Sequence, residues 1–250
     1  MARRWRSGVL RRPPTSLTRR LHSKQPWPKR SPAVALPLSA VALPLATKRW
    51  EKLTPVDPVV TDIVDVAMSR NTIMRVNGNA LLDETIIKII IRFTKLCLDV
   101  AVCCPRAPSA NSKAVVITQS VPTARKYFDE ARKYFGDKAL LAIATMAVDC
   151  WGRTEWQEAV RGKGVLIITP CLFHDAIKAG HLEVHDFCSL VFVECKGVVG
   201  SGPHSNPMSR IPGFFSTVQP RILGLATAKL TPSQVTVLKQ RLAASVLEIA

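Results

Sequence analysis

The sequence predicts an α/β fold in which a mostly parallel β-sheet is covered by helices on both faces. Short apolar runs rich in Val, Ile and Leu alternate along the chain with longer segments whose apolar residues recur at helical spacing. The short runs are continuously apolar, which is typical of strands buried on both faces of a parallel sheet. Because this pattern runs from about residue 52 to the last residue, we expect a single domain over residues 52–250.

The first part of this domain contains two predicted strands and two predicted helices. The strands are Asn71–Val76 and Lys113–Gln119, and the turn-rich stretch Pro105–Ser112 precedes the second strand. The segment Glu84–Val100 is predicted to be a strongly apolar helix. In Val121–Phe135 the apolar and aromatic residues fall at helical spacing, which predicts an amphipathic helix.

The second part of the domain contains four further apolar runs. A helix is predicted among them at Cys171–Gly180, with Gly as its stop. The runs predict strands at Leu140–Ala147, Gly164–Pro170, Ser189–Glu194 and Pro220–Ala228.

A last helix is predicted from its N-terminal signals. Thr231 is a suitable N-cap, Pro232 suits the first helical position, and Gln234 stands where a capping box requires Glu or Gln. We expect this helix to continue to Ala250.

The N-terminal region carries most of the excess positive charge. Residues 1–50 contain twelve of the 35 Lys and Arg residues and no acid, because the first acid is Glu51. An Arg- and Ser-rich leader without acids is typical of a mitochondrial presequence. We therefore interpret residues 1–30 as presequence-like and expect the protein in the mitochondrial matrix. The alternative is a disordered basic arm that contacts nucleic acid directly.

A Pro-rich apolar segment, residues 31–51, connects the leader to the domain. Its apolar run Pro32–Ala46 is shorter than the about 20 apolar residues that a membrane span needs, and it contains three prolines. We therefore exclude a membrane span here and expect an extended segment that lies on a partner or on the domain itself.

The cysteines do not indicate a metal site or a disulfide framework. Seven cysteines are present without any CxxC spacing, and only five histidines accompany them. We expect most of the cysteines to be reduced residues of the core.

Several phrases of the sequence together resemble one protein family. They occur in the family's order and with plausible spacing at Asn71–Ile73, Val148–Trp156, Gly164–Thr169, Ala176–Cys195, Pro203–Met208 and Pro220–Leu225. Residues 71–230 thereby resemble the first RecA-like (DExD/H) domain of a superfamily 2 helicase, most closely the Dicer and double-stranded-RNA-sensor branch. The resemblance implies a RecA-like, P-loop NTPase-type fold.

The phosphate-binding loop of that family is degenerate in this sequence. In the family the loop ends in Lys, for the β- and γ-phosphates, followed by Ser or Thr for magnesium. Here the loop contains Asn77, Gly78 and Asn79, and Leu82 and Asp83 stand at the Lys and Ser/Thr positions. A carboxylate in place of the hydroxyl repels a triphosphate. We therefore expect no nucleotide cofactor.

The other nucleotide-handling positions are also changed. The family's magnesium-holding strand ends Asp-Glu-Cys-His, whereas this chain has Val193 and Lys196 at the first and last of these positions. Val60 stands where the family reads adenine with Gln, and Ala226–Ala228 replaces the coupling Thr-Ala-Ser. Glu194, which orients the attacking water in the family, is the retained residue, and we interpret it as a relic or a polar cap on the sheet edge.

Some positions at which the family contacts RNA phosphates keep suitable side chains. Hydroxyls and Arg near helix N-termini bind phosphate well. The resemblance implies RNA contacts at Ser120, Thr123, Arg125 and Thr169. Alternatively, the basic residues of Val121–Phe135 form a solvated helix face.

Trp151 and Trp156 are interpreted as core or interface anchors, with base stacking as the alternative.

These features together predict a non-catalytic pseudo-helicase domain. We expect it to be a structural or RNA-docking subunit of a mitochondrial ribonucleoprotein assembly, either the mitochondrial ribosome or an RNA-processing complex. The sequence ends soon after Pro220–Leu225, so we expect one RecA-like domain where such motors use two. The alternatives are an ATP-dependent RNA helicase or annealing factor completed by a partner chain, and a regulatory partner of an RNase III-type nuclease.

Overall fold

A computed structural model describes residues 57–76, 83–103, 113–144, 148–200, 207–214 and 220–249. Its strands are β1 Thr72–Val76, β2 Lys113–Ile117, β3 Ala139–Ala142, β4 Val165–Ile168, β5 Phe187–Phe192, β6 Arg221–Ala226 and β7 Ser245–Ile249. They form one seven-stranded sheet in the order β3-β4-β2-β5-β6-β1-β7, and every neighbouring pair is parallel. The predicted α/β class with a parallel sheet is confirmed.

Helices cover both faces of this sheet. They are α1 Pro58–Ser69, α2 Asp83–Cys103, α3 Val121–Phe135, α4 Arg153–Val160, α5 Pro170–Lys178 and α6 Pro232–Leu242. Buried residues of α1, α2 and α3 form a core with one face of the sheet. Buried residues of α4, α5 and α6 form a second core with the other face.

Strand β5 occupies the centre of the sheet, between β2 and β6. Val191 faces the core beneath α1–α3, whereas Leu190 and Phe192 face the opposite core, and all three side chains are fully buried. Burial on both faces explains why the strand is continuously apolar in the sequence.

The predicted strands all occur, with bounds that differ by a few residues. The largest difference is at the third strand, predicted as Leu140–Ala147, because β3 ends at Ala142. Among the strands that the structure describes, β3 lies at the edge of the sheet and pairs with β4 alone, so Ile143 and Ala144 have no second strand to keep them extended. A short 3₁₀ helix follows at Val148–Cys150.

The predicted helix from Thr231 to Ala250 is wrong in its second half. α6 begins with the predicted capping box, in which Thr231 Oγ1 accepts from Gln234 N at 3.3 Å and Gln234 Oε1 accepts from Thr231 N at 2.9 Å. The helix ends at Leu242 because Ala243 adopts a left-handed conformation with φ 46°. Strand β7 then pairs along β1, and its apolar side chains pack against both cores.

Two residues that carried interpretations from the sequence lie in the cores. Val60, on α1, is 3% exposed, and Trp156, on α4, is 2% exposed. Trp156 packs edge-to-face against Trp151, with ring centroids 5.2 Å apart, which supports its interpretation as a core anchor.

Several expectations concern parts of the chain outside the described residues, namely the presequence-like residues 1–30 and the Pro-rich residues 31–51. Within the described residues, no group of three or more His, Cys, Asp or Glu is arranged to hold a metal ion. Among those same residues, no helix has both the length and the apolar character that crossing a membrane requires.

Candidate functional site

The carboxyl ends of the parallel strands meet at one edge of the sheet, where ligands bind in open α/β folds. The structure describes the start of α2 and the segments that follow β2, β4, β5 and β6 at this edge. The loop positions Asn77, Gly78, Asn79 and Leu82 lie outside the described residues. The described part of the candidate nucleotide site comprises Asp83, at the start of α2, and the residues that follow β5.

Asp83 is the first residue of α2, and a lysine neutralises its carboxylate. Lys126 Nζ, on α3, lies 2.7 Å from Asp83 Oδ2. The two side chains are 52% and 81% exposed for Lys126 and Asp83, so the pair contributes little to stability. Asp83 nevertheless places a negative charge at the position where the resembled family binds magnesium. The ammonium group of Lys126 is paired with this carboxylate.

Val193 belongs to the apolar core rather than to a metal site. It stands at the position of the family's magnesium-holding aspartate, immediately after β5. Its side chain is 6% exposed and packs in the core beneath α1–α3, and its backbone N–H donates to Ile117 O at 2.9 Å. A buried isopropyl group has no oxygen with which to bind magnesium.

Glu194 is held by contacts from two neighbouring segments. Its backbone is left-handed, with φ 56° and ψ 56°, a conformation that few residues other than Gly adopt. The hydroxyl of Thr227, which follows β6, donates to Glu194 Oε1. The side-chain amide of Gln119, which follows β2, donates to Glu194 O at 3.0 Å. Glu194 therefore connects the ends of β2, β5 and β6.

Tyr127 places a buried phenol near both carboxylates of the site. Burial raises the pKa of Tyr127 well above its ordinary value, and the negative charges of Asp83 and Glu194 raise that pKa further. The phenol therefore stays protonated at physiological pH. Tyr127 and Val193 belong to the same core, so the centre of the candidate nucleotide site is partly apolar.

The residues predicted to contact RNA lie at the ends of two adjacent strands. Ser120 caps α3, because its Oγ accepts from Thr123 N at 3.2 Å and lies 2.6 Å from Thr123 Oγ1. Arg125 follows on α3 and is exposed. Thr169 precedes α5 at the end of β4 and is only 8% exposed, so little of its side chain reaches the surface. The first three residues are brought together, and an RNA contact by any of the four stays a prediction.

Sequence reasoning missed the contacts that organise this edge. For Lys126 it offered a solvated helix face as one alternative, it counted Thr227 within a changed motif, and it assigned no role to Gln119. The contacts of these residues join positions separated by 43, 33 and 75 residues along the chain, respectively. No local pattern indicates such pairs, although the order of strands in the resembled fold would place the segments together.

Comparisons with known proteins give matches to two plant Dicer proteins. No family model matches the chain. Endoribonuclease Dicer homolog 3b of Oryza sativa subsp. japonica is 26% identical over 124 residues, which are 49% of this chain and 8% of that protein. Endoribonuclease Dicer homolog 3 of Arabidopsis thaliana is 29% identical over 101 residues, which are 40% of this chain and 6% of that protein. The chain thus spans less than a tenth of these relatives.

Solved structures of helicase domains share the fold. The Hef helicase domain of Pyrococcus furiosus matches with a TM-score of 0.59 and 16% identity, over 76% of this chain and 37% of that chain. A hypothetical ATP-dependent RNA helicase from Sulfolobus tokodaii matches with a TM-score of 0.54 and 14% identity, over 81% of this chain and 55% of that chain. Together with the parallel sheet, these matches show the RecA-like fold found in helicase domains, and the sequence of part of the chain is similar to that of the two plant Dicer proteins.

Proposed function

We propose that this chain is a pseudo-helicase, a RecA-like helicase domain that neither binds nor hydrolyses ATP. We further propose that it serves as a structural or RNA-docking subunit of a mitochondrial ribonucleoprotein assembly. The burial of Val193 in the core beneath α1–α3 is the observation that carries the proposal, because this residue stands where a magnesium ligand is required.

The charges around that position also oppose nucleotide binding. Phosphoryl transfer depends on positioning the phosphates and stabilising their charge with magnesium and cationic side chains. Here the residue at the start of α2 is a carboxylate, Asp83, and the adjacent ammonium group of Lys126 is already paired with it. A triphosphate at this place would meet a like charge and would have to compete for the lysine.

The retained Glu194 does not restore catalysis by itself. A carboxylate that orients water is useful only where the phosphates and the metal are held beside it. Its Oε1 accepts from Thr227, and its backbone carbonyl accepts from Gln119. These contacts support a structural role, in which Glu194 ties three strand ends together.

The proposed location and partners rest on the sequence. The acid-free, Arg-rich residues 1–30 favour import into mitochondria. The exposed side chains of Ser120 and Arg125 and the half-buried hydroxyl of Thr123, near the N-terminus of α3, favour contact with RNA phosphates. Proteins of a mitochondrial ribonucleoprotein assembly are therefore the proposed partners.

One observation favours a second candidate, an ATP-dependent RNA helicase or annealing factor completed by a partner chain. The contact between Thr227 and Glu194 links the segments after β5 and β6, which the resemblance assigns to ATP hydrolysis and its coupling. Nucleotide binding distinguishes the two candidates directly.

The test is the thermal stability of the full-length protein with millimolar Mg-ATP. A ligand that binds the folded state stabilises it by about 2.7 kcal/mol at a hundredfold excess over its Kd. For a domain of this size, in which 1 kcal/mol shifts Tm by about 2–4 °C, that corresponds to a rise in Tm of roughly 5–11 °C. We expect no rise, and no ATPase activity. A reproducible ATP-dependent rise would overturn the pseudo-helicase proposal, and its loss in Glu194→Gln would favour the second candidate.

A further inference from the structure

Three sulfur-bearing side chains come together where α1, α2 and β5 pack at the amino end of the sheet. Cys97, in the second half of α2, donates its Sγ–H to Met68 Sδ, on α1, at 3.5 Å. Cys188 lies at the start of β5, the strand against which α2 packs, and its side chain contacts the same core as Cys97. We define the sulfur cluster as Met68, Cys97 and Cys188.

A β-bulge turns Cys188 toward this cluster. The pairing of β5 with β2 shifts register between Phe187 and Ser189, which leaves Cys188 as an extra residue. Phe187 faces the core beneath α4–α6, whereas Cys188 packs against the core beneath α1–α3. Ser189 also faces α1–α3, because it lies two residues before Val191 on the same strand. The bulge thus presents a thiol and a hydroxyl side by side to α2, and bulges often re-aim side chains beside functional sites.

The groups around the two thiols favour their deprotonated form once a ligand offsets burial. Burial raises the pKa of Cys188 to about 11 and also raises the pKa of Cys97. The Ser189 hydroxyl lowers both pKa values, yet Ser189 Oγ is fully buried and has no hydrogen-bond partner of normal geometry among the described residues. Such an orphaned hydroxyl requires an explanation, and donation to a metal-bound thiolate supplies one.

The donor set of the sulfur cluster selects a soft ion. Thiolate and thioether ligands favour Cu(I), whereas structural Zn²⁺ sites use four Cys and His ligands. A metal–thiolate bond is about 2.3 Å long, so two sulfur ligands of one ion lie within about 4.6 Å of each other. The 3.5 Å between Cys97 Sγ and Met68 Sδ is within that limit. Because one ligand is a methionine, the cluster differs from the groups of three or more His, Cys, Asp or Glu that the described residues lack.

We propose that the sulfur cluster binds one Cu(I) ion, with Cys97 and Cys188 as thiolate ligands and Met68 as the thioether ligand. Each thiol releases its proton to solvent when it binds the ion. Two thiolates and one Cu(I) leave a single negative charge, which the guanidinium of Arg221 offsets, since Arg221 on β6 pairs directly with Ser189. Cys188 is only partly buried and gives the ion a route from solvent. The ion joins α1 and α2 to the central strand, a role separate from the proposed RNA docking.

The experiment measures transfer of Cu(I) to the full-length chain from its coloured complex with bicinchoninate, without oxygen. Thiols outside the cluster are first removed in a background variant, Cys103→Ser/Cys104→Ser/Cys150→Ser/Cys171→Ser. We expect this variant to take up one ion per chain. At a hundredfold excess of free Cu(I) over its Kd, Tm should rise by about 5 °C or more.

Two substitutions in that background test the ligands. Met68→Leu keeps the size of the side chain and removes the thioether, so the metal-free Tm should change little. Loss of a ligand should weaken Cu(I) binding at least as much as loss of an outer-shell partner, which is roughly tenfold or more. Cys188→Ser should abolish the uptake, because one thiolate and one thioether remain.

The matched control is Cys195→Ala in the same background. Cys195 is fully buried, like Cys97, but it follows the carboxyl end of β5 and belongs to the core beneath α4–α6. Its removal should leave the uptake of Cu(I) unchanged.

Each contrary outcome overturns the inference. If the background variant takes no Cu(I) from bicinchoninate, the cluster is apolar packing and the site is absent. Uptake that survives Cys188→Ser, or that Cys195→Ala reduces equally, would show that the ion binds elsewhere. Uptake that Met68→Leu leaves unchanged would refute coordination by three sulfurs, and this conservative variant decides the question even if Cys188→Ser fails to fold.

Discussion

Replacing Val191 by Asp places a carboxyl group at the centre of the sheet and should abolish folding at neutral pH. Val191 is fully buried in β5, which pairs with β2 and β6, and it packs in the core beneath α1–α3. Loss of its burial costs about 1.5–3 kcal/mol. If burial holds the pKa of the new carboxyl at or above 7, about 4 kcal/mol is added at pH 7, since each unit above the ordinary value of about 3.9 costs 1.36 kcal/mol.

The combined cost of about 6–7 kcal/mol is comparable to the whole stability of a typical domain, which is about 5–15 kcal/mol. We therefore expect Val191→Asp to be unfolded or aggregated at pH 7 in circular dichroism and size-exclusion chromatography. The carboxyl's folded-state pKa is raised, so the penalty should shrink as pH falls toward the unfolded-state value, and refolding should be best near pH 4.

The matched control is the same substitution at Val59, which is 46% exposed in the first turn of α1. An acid in the first turn of a helix is tolerated or slightly favourable, so Val59→Asp should keep the Tm of the unmodified protein. A soluble Val191→Asp variant with unchanged unfolding would show that β5 is not a central buried strand and would refute the reasoning.

Three further predictions follow from individual features. Gly224→Val should destabilise the domain by about 1–3 kcal/mol, because a Cβ at this position would lie 3.3 Å from Cys195 Sγ, whereas Gly213→Val, where a Cβ meets nothing within 4 Å, should have little effect in urea unfolding. Cys150 is exposed and should react with iodoacetamide at pH 8, whereas Cys195 should be protected until the protein unfolds, because it is buried and burial raises its pKa to about 12. Mass spectrometry of labelled peptides checks this, and labelling of Cys195 in the folded protein would contradict it. A fusion of residues 1–45 to a fluorescent protein should enter mitochondria, and a cytosolic or nuclear signal would exclude the proposed location.

Most of the sheet could be predicted from the sequence because its strands are buried on both faces. The runs that became β2, β4, β5 and β6 are short, branched and continuously apolar, and no helical pattern competes with that reading. β7 was not predicted, because its side chains are only partly buried and the sequence lacks a continuously apolar run there. It follows α6 with only two residues between them, and its partner β1 is far away in the sequence, so only tertiary pairing identifies Ser245–Ile249 as a strand.

The residues at which the candidate site departs from the resembled family's motif could be predicted from the sequence, whereas the contacts of these residues could not. The substitutions at Asp83 and Val193 are visible as departures from a fixed motif. The pairing of Asp83 with Lys126, and the two contacts to Glu194, depend on how loops approach one another at the ends of strands. A motif fixes the residue types at given positions, whereas contacts between residues far apart in the sequence depend on the three-dimensional fold.

The position of β1 in the sheet has a consequence for the order in which the molecule assembles. β1 pairs with β6 and β7 and with no other described strand, although it precedes them by most of the domain. Asn71, just before β1, bonds Ile222 across 151 residues and Ser245 across 174 residues. A chain emerging from a ribosome or a membrane pore therefore keeps β1 without neighbours until nearly all of the domain has appeared. Such a high contact order predicts slow folding and a prolonged need for chaperone protection of an apolar strand with two open edges.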